Sequence, residues 1–307
     1  MGQYTIRRLL QMIPVIIGTT FLIYAMVWAL PGDPFAGKCG DRPCPPAYVA
    51  EQTARFNLDD PLLIAYVKYL GNLVTGDLGE TFKGTQVAQE LAVALPATVK
   101  LATLAILLEI VIGIGAGVLA GLRRGSFVDN LVLLSTLVVI SIPIFVIGYL
   151  AQYILGVQLG WFPPTVGSGA PLSDLILPAL VLASTSLAYV ARLTRAQLAE
   201  NTRADYVRTA TAKGLPRSQV VRHTLRNSLI PVITFIGLDF GALMGGAIVT
   251  EGIFNIKGIG GLVFTSIQTR EGATVTAVIT LIVLVFLIVN LLVDLLYGLL
   301  DPRIRYE

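Results

Sequence analysis

Six long apolar stretches dominate the chain, and polar and charged residues cluster in the segments between them. Each stretch reaches the roughly 20 residues that a helix needs to cross the hydrocarbon core of a bilayer. The pattern therefore predicts an all-α integral membrane protein with six transmembrane helices. The predicted spans are Leu9–Leu30, Ala97–Leu122, Val128–Leu155, Leu175–Leu193, Leu229–Val249 and Val275–Leu299.

Composition supports a membrane protein. Of the 307 residues, 55% are hydrophobic and 13% charged, and the mean hydropathy is +0.77. A soluble domain with so few charged residues could not cover its surface with polar side chains. The first stretch follows Arg7 and Arg8, as the core of a signal peptide would. It lacks a small-residue cleavage site and exceeds the ~7–15 apolar residues of a signal peptide, so we interpret it as a retained span.

The distribution of Lys and Arg predicts the orientation. Basic residues concentrate at Arg7 and Arg8, at Arg123 and Arg124, between Arg192 and Arg226, and at Arg303 and Arg305. Cytoplasmic loops carry the excess of Lys and Arg, so both termini of this multi-pass protein are predicted to be cytoplasmic. This asymmetry also accounts for the net charge of +3, so we do not interpret the basic segment as a nucleic-acid site.

Two cysteines, Cys39 and Cys44, fall in the loop after the first span, which this orientation places outside the cytoplasm. Thiols there can oxidise, so a local disulfide is favoured over a metal site. The only histidine, His223, is predicted on the other side of the membrane, which leaves the thiols without a complete set of metal ligands.

The segment after the fourth span is patterned as two short amphipathic helices. In the first, Tyr206, Ala210 and Gly214 share one face of mostly small residues. Gly214 suits the left-handed position that ends a helix, and Pro216 suits the start of the next one. Such a face can dock into a groove of another protein, and a helix lying in the lipid headgroups is the alternative.

The run Asp205–Leu215 (DYVRTATAKGL) resembles the coupling-helix motif of binding-protein-dependent ABC transporter permeases, in the peptide and nickel branch. Other stretches resemble the same branch in the same order, and the closest likeness is to the B-type permeases of dipeptide and oligopeptide importers. These stretches are Arg7–Pro14 leading to Leu30–Pro34, Gly76–Gly79 with Phe82, Glu251–Phe254 with Gly258–Gly260, and Asp301–Arg303.

The resemblance implies the transmembrane domain of a type I ABC importer with a cytoplasmic coupling helix. The expected domains are an N-terminus with the first span (1–31), an extracytoplasmic loop (32–96), a five-helix core (97–299) and a cytoplasmic tail (300–307). The coupling segment is expected at 196–227 within the core. The residues implied to dock on an ATPase are Asp205, Tyr206, Arg208, Thr209, Ala210, Lys213, Gly214 and Leu215.

One departure touches this site. The general motif of the superfamily has Glu-Ala-Ala where this chain has Arg208, Thr209 and Ala210. Asp205, one turn earlier on a similar face, is the candidate substitute for the missing acid.

No phosphate-binding loop of the type GxxxxGK[ST] occurs in the sequence. The resemblance therefore implies a non-catalytic subunit, with ATP and Mg bound by two partner ATPase subunits or domains. It also implies a paralogous second permease and an extracytoplasmic solute-binding protein as partners. The expected cargo is dipeptides or oligopeptides. The alternatives are import of nickel or another small solute, and an ion-coupled secondary carrier.

Three acids, Glu109, Asp239 and Asp294, lie in or near predicted spans. An ionisable group at bilayer depth is costly unless it faces protein or water, so each is a candidate functional residue. Asp239 is the preferred residue of the translocation pathway because its carboxylate suits the amino terminus of a peptide; an interhelical hydrogen bond is the alternative role. Glu109 is the second pathway candidate.

Small residues and prolines in the spans have structural interpretations. Gly113, Gly115 and Gly117 permit close helix approach, and we favour static packing over a hinge. Pro143 and Pro178 predict kinks in their helices.

Overall fold

A computed structural model describes residues 2–29, 35, 44–55, 59–81, 84–167 and 169–300. The side chains of 2–5, 246, 293, 294 and 296–300 are outside this description. The described part contains twelve α-helices and two π-helical turns, Glu109–Ile114 and Gln152–Gln158, and no strand. The helices are α1 (Gly2–Trp28), α2 (Pro46–Arg55), α3 (Leu62–Thr75), α4 (Val87–Leu108), α5 (Gly115–Leu122), α6 (Phe127–Ser141), α7 (Ile144–Ala151), α8 (Leu172–Asn201), α9 (Asp205–Ala212), α10 (Arg217–Phe254), α11 (Ile259–Gln268) and α12 (Gly272–Leu300).

The helices confirm a multi-span membrane protein. Five of the predicted spans are continuous apolar helices long enough to cross a bilayer, and the sixth is broken. The broken one is the third span, where α6 and the helix Ile144–Gln158 meet at 102°. A second bent pair, Ala247–Phe254 with Ile259–Gln268, was not predicted and raises the possible count to seven. The continuous spans are Ile6–Trp28, Val87–Leu122, Leu172–Asn201, Arg217–Gly245 and Gly272–Leu292.

The two prolines behave differently. Pro143 has an extended backbone (φ −58°, ψ 139°) and immediately precedes α7, so the predicted kink is confirmed as a break in the third span. Proline restricts the residue before it to extended conformations, and Ile142 adopts φ −101° and ψ 128°. By contrast, α8 continues through Pro178 without a break.

The chain divides into two compact units. The first comprises residues 1–97 and 257–287. In this unit α3 packs on α1, where the Tyr66 hydroxyl donates to the Ile17 carbonyl at 2.8 Å and lies 2.9 Å from Thr20 Oγ1. The Tyr69 hydroxyl donates to Thr280 Oγ1 at 2.8 Å. Buried apolar side chains from α4, α11 and α12 form its core: Val87, Leu91, Ala94, Ile259, Val263, Ala277 and Val278.

The second unit comprises residues 98–256 and 288–307, with α8 at its centre. Glycines every fourth residue bring the second span against α8. A Cβ atom at Gly117 would lie 2.5 Å from Thr194 Cβ and 2.6 Å from the Ala191 carbonyl oxygen, and one at Gly113 would lie 2.9 Å from Val190 Cγ1. Close helix approach is thus confirmed at Gly113 and Gly117, whereas a Cβ at Gly115 would meet nothing within 4 Å. The preference for static packing over a hinge stays a prediction.

This difference gives a matched pair of alanine variants. Gly117→Ala is expected to destabilise the subunit by about 1–3 kcal/mol, because the added methyl group overpacks a contact between helices. Gly115→Ala adds the same atom in open space, so the usual helix preference for alanine, up to ~1 kcal/mol, should leave it neutral or slightly stabilised. Thermal unfolding of the purified complex in detergent measures both; equal melting temperatures would contradict the close contact.

Two polar contacts hold the end of α10 in this unit. The Thr98 hydroxyl donates to the Glu251 carboxylate, and both side chains are buried. The Gln152 side-chain amide donates to the Ile253 and Pro164 carbonyls at 2.8 Å each. The stretch Glu251–Phe254, noted above for its family resemblance, is therefore tied to two other spans.

Candidate functional site

The predicted coupling helix is α9, a separate helix of eight residues between α8 and α10. Ala204 has an extended backbone (φ −67°, ψ 151°), and a turn formed by 201–204 separates α9 from α8. Asp205 occupies the first turn of α9, where a negative charge is favourable at the positive end of the helix dipole. The sequence therefore specifies where the helix begins.

The end of α9 is set by Gly214. Gly214 has φ +74°, its N–H donates to the Thr211 carbonyl at 3.0 Å, and the Leu215 N–H donates to the Ala210 carbonyl at 3.2 Å. These two bonds form a Schellman motif, which needs a residue that tolerates the left-handed conformation. The predicted roles of Gly214 and Pro216 are both confirmed, since Pro216 directly precedes α10.

The predicted second short helix is wrong. α10 runs for 38 residues, from Arg217 to Phe254, and so includes the fifth span. The change from polar to apolar residues near Asn227 suggests a helix boundary, but a helix that leaves the hydrocarbon core can continue in water. The helix also continues through Pro231.

The side chains of α9 are all exposed or half-buried. Val207 and Ala210 are half-buried, and the opposite side of the helix is exposed. We name this exposed side the outer face of α9 and define it as Asp205, Arg208, Thr209 and Ala212. Of the predicted docking residues, Ala210 and Leu215 are half-buried and six are exposed: Asp205, Tyr206, Arg208, Thr209, Lys213 and Gly214.

This exposure alters the predicted docking surface. The proposed small face of Tyr206, Ala210 and Gly214 is only partly accessible, because Ala210 lies beside the rest of the chain. Ala212 was missed, although it is a small, exposed side chain one position from Lys213. Helical spacing alone shows which residues share a face, but it does not show which face the protein covers.

Asp205 has a local partner in this structure. Its carboxylate lies 3.5 Å from Arg208 Nη1, and both side chains are exposed to solvent. Exposed ion pairs contribute ~0–1 kcal/mol, so the pair leaves Asp205 able to exchange Arg208 for a cation of another protein. Replacement of the missing motif acid by Asp205 stays a prediction.

Hydrogen bonds attach α9 to α8, and α8 in turn to α10. The Tyr206 hydroxyl donates to Asn201 Oδ1 at 3.2 Å, and Asn201 Nδ2 donates to the Gln197 carbonyl at 2.9 Å. The Ser228 hydroxyl on α10 donates to the same carbonyl at 3.3 Å. A displacement of α9 would therefore act on α8 and α10 together.

The pathway candidates Glu109 and Asp239 come close together, on the second and fifth spans. Glu109 opens the π-helical turn and is fully buried, and neither of its oxygens has a hydrogen-bond partner among the described residues. Asp239 is half-buried on α10, bonds to Ser186 of α8 and lies near enough to Glu109 for their charges to interact. The second Asp239 oxygen has no partner in the described part of the chain.

Several other predicted residues do not join this group. The side chain of Asp294 is outside the described part. Cys39 also lies outside the described residues, so its disulfide with Cys44 stays a prediction. The stretches Leu30–Pro34 and Asp301–Arg303, and Phe82, lie outside the description as well. Within the described ranges, no cluster of three His, Cys, Asp or Glu side chains could hold a metal ion.

Comparison with known proteins places the chain in a family of transport proteins. Residues 113–306 match the family described as "binding-protein-dependent transport system inner membrane component", and residues 1–102 match a family described as the N-terminal part of the membrane component of such systems. Together the two matches cover nearly the whole chain.

Full-length relatives support the same family assignment. The chain is 36% identical to the dipeptide transport system permease protein DppB of Alkalihalophilus pseudofirmus and 40% identical to the di/tripeptide transport system permease protein DppB of Pseudomonas aeruginosa. It is 38% identical to the glutathione transport system permease protein GsiC of Escherichia coli O6:H1. Each alignment covers all of both chains. The chain therefore belongs to the family of binding-protein-dependent transport system inner membrane components, as a non-catalytic, multi-pass permease subunit with the membrane domain of a type I ABC importer.

Proposed function

We propose that this chain forms half of the pathway by which an ATP-driven importer carries dipeptides and oligopeptides across the bacterial inner membrane. The observation that carries the proposal is the full-length likeness, at 36–40% identity, to permeases named for dipeptides and di/tripeptides. A likeness to a glutathione permease fits the same class of cargo, since glutathione is itself a tripeptide.

The proposed partners follow from two features: the sequence has no phosphate-binding loop, and the outer face of α9 is exposed. ATP and Mg are held by two ATPase subunits, one of which docks on the outer face of α9. A paralogous permease supplies the other half of the pathway, and an extracytoplasmic solute-binding protein delivers cargo. The exposed outer face of α9, its hydrogen bond to α8 and the bond between α8 and α10 support this assignment.

The orientation is part of the proposal. Both termini and α9 lie in the cytoplasm, where the Lys and Arg residues concentrate. Thus the ATPase reaches α9 from the side on which ATP is available, and the first loop faces the binding protein.

We assign Asp239 and Glu109 to the translocation pathway. The Asp239 carboxylate is half-buried and keeps one oxygen without a partner in the described residues, so it can accept hydrogen bonds from a peptide ammonium group. Glu109, on the second span, is fully buried. Because an unpaired charge there would cost several kcal/mol, Glu109 is a buried neighbour of the pathway and not a direct ligand of the cargo.

Purification of the intact complex tests the proposed function. We expect two ATPase subunits and a second permease to copurify with this chain. Uptake of a labelled dipeptide into proteoliposomes containing the binding protein should require ATP. Unlabelled dipeptides and tetrapeptides should compete with it, and nickel should not. Competition by nickel alone would favour the nickel alternative, and uptake driven by an ion gradient without ATP would refute the importer.

A further inference from the structure

A buried ion pair joins the start of α6 to the last turns of α8. Arg195 Nε donates to Asp129 Oδ1 and Nη2 donates to Asp129 Oδ2, both at 2.9 Å. The Asp129 side chain is 2% exposed and that of Arg195 22%. Two parallel bonds between planar groups fix the relative orientation of the two side chains, which the single ammonium group of a lysine would not do.

The same carboxylate holds the loop before α6. The Gly125 N–H donates to Asp129 Oδ2 at 2.8 Å, and Ser126 caps α6 by accepting from the Asp129 N–H at 3.4 Å. Arg124 is the other cation near Asp129. The connection between the second and third spans is therefore attached to α8 through one buried aspartate.

The pair stands between the packed spans and α9. Arg195 lies less than two helical turns before α8 ends at Asn201, where the hydrogen bonds to α9 begin. Close packing continues beside it, since a Cβ atom at Gly121 would lie 3.1 Å from Leu198 Cβ and 3.3 Å from the Arg195 carbonyl oxygen. The second, third and fourth spans thus converge at the end of α8 nearest to α9.

We propose that the Asp129–Arg195 ion pair is a mechanical link that passes displacement of α9, through α8, to the third span. The proposal rests on the docking of an ATPase on α9. Apolar packing alone lets one helix slide along another, whereas a bidentate bond has a single geometry and makes α8 and α6 move together. In this proposal both are positioning residues, because they act through the helices that they join.

The test is Asp129→Asn in the complete complex, reconstituted with its binding protein. The substitution removes the carboxylate and leaves an amide oxygen that can accept from Gly125. We expect the ATPase subunits to copurify as in wild type and ATP hydrolysis to stay within about twofold of wild type. Peptide import should fall about tenfold, within the range of coupling effects between sites. The quantity to measure is ATP hydrolysed per peptide imported, which should rise accordingly.

Other variants separate a link from a purely structural contact. Arg195→Lys keeps the charge but loses the paired geometry. Its ratio of ATP hydrolysed to peptide imported should therefore lie between those of wild type and Asp129→Asn. The double variant Asp129→Asn/Arg195→Gln should hydrolyse no more ATP per imported peptide than the poorer single variant, because both substitutions remove the same interaction. Asn130→Ala changes the exposed residue next to Asp129 on α6 and should leave this ratio unchanged.

Two results would overturn the link. One is a normal ratio of ATP to peptide in Asp129→Asn, with only the yield or melting temperature of the complex reduced. The other is loss of the ATPase subunits from the purified variant, which would make the pair a support for docking. A different variant, Ala212→Arg, tests the docking proposal itself and leaves the ion pair intact. Normal ATPase binding and import in that variant would refute docking on α9.

Discussion

Replacing Ala212 by arginine on the outer face of α9 is expected to reduce ATP-driven peptide import by at least about tenfold while the subunit still inserts into the membrane. Ala212 is the smallest side chain on this face, so a partner can approach closely there, and arginine adds both bulk and charge. A change of about 2 kcal/mol, the size found at interface hot spots, is roughly a thirtyfold change in affinity. Copurification of the ATPase subunits and import into proteoliposomes measure the two effects.

Ser218→Arg is the matched control. Ser218 is also exposed and lies only a few residues further on, but it belongs to the start of α10 and not to the outer face of α9. It receives the same side chain and charge, so it reports any general effect of added arginine at this surface. Equal import by the two variants would refute docking on α9.

Two substitutions that the sequence suggests would be poorer tests. Gly214 has φ +74°, so any side chain there strains the backbone whether or not a partner docks. Ala210 is half-buried and its carbonyl accepts the Schellman bond from Leu215, so a glutamate would disturb the packing of the subunit itself. Ala212 avoids both problems.

The spans and the ends of α9 were predictable because their causes are local. Apolar length decides whether a helix can cross a bilayer, and Gly214 with Pro216 specifies where one helix ends and the next begins. The continuation of α10 beyond the membrane was not predictable from the same signals. Polar residues such as Arg222 and Asn227 mark the end of the hydrocarbon core but do not end a helix.

Contacts between distant segments could not be predicted in this way. Asp129 and Arg195 are 66 residues apart, and nothing in their local sequence indicates that they pair. The available signal was weak: an acid at the start of one span and an arginine at the end of another, both at the predicted cytoplasmic side. Glu109 and Asp239 were each predicted to be functional, but their proximity depends on how the second and fifth spans pack.

Among the pathway residues, Asp239 is the one whose replacement is expected to reduce peptide import most. Asp239→Asn is expected to lower peptide import about tenfold, because hydrogen bonds to a charged group contribute roughly 1.5–3 kcal/mol and asparagine removes that charge. The amide oxygen of asparagine can still accept the bond from Ser186. The variant therefore tests the negative charge and not the bond between helices. Initial rates of dipeptide uptake, normalised to the amount of assembled complex, give the measurement.

Ser186→Ala and Glu109→Gln complete the comparison. Ser186→Ala removes the interhelical bond and keeps the Asp239 carboxylate, so import should be retained if Asp239 binds the peptide ammonium group. Glu109→Gln removes no hydrogen bond found among the described residues and should likewise leave import within about twofold, as expected for a change of less than 0.5 kcal/mol. If Asp239→Asn transports normally while Ser186→Ala does not, Asp239 serves to hold two spans together and cargo must bind elsewhere.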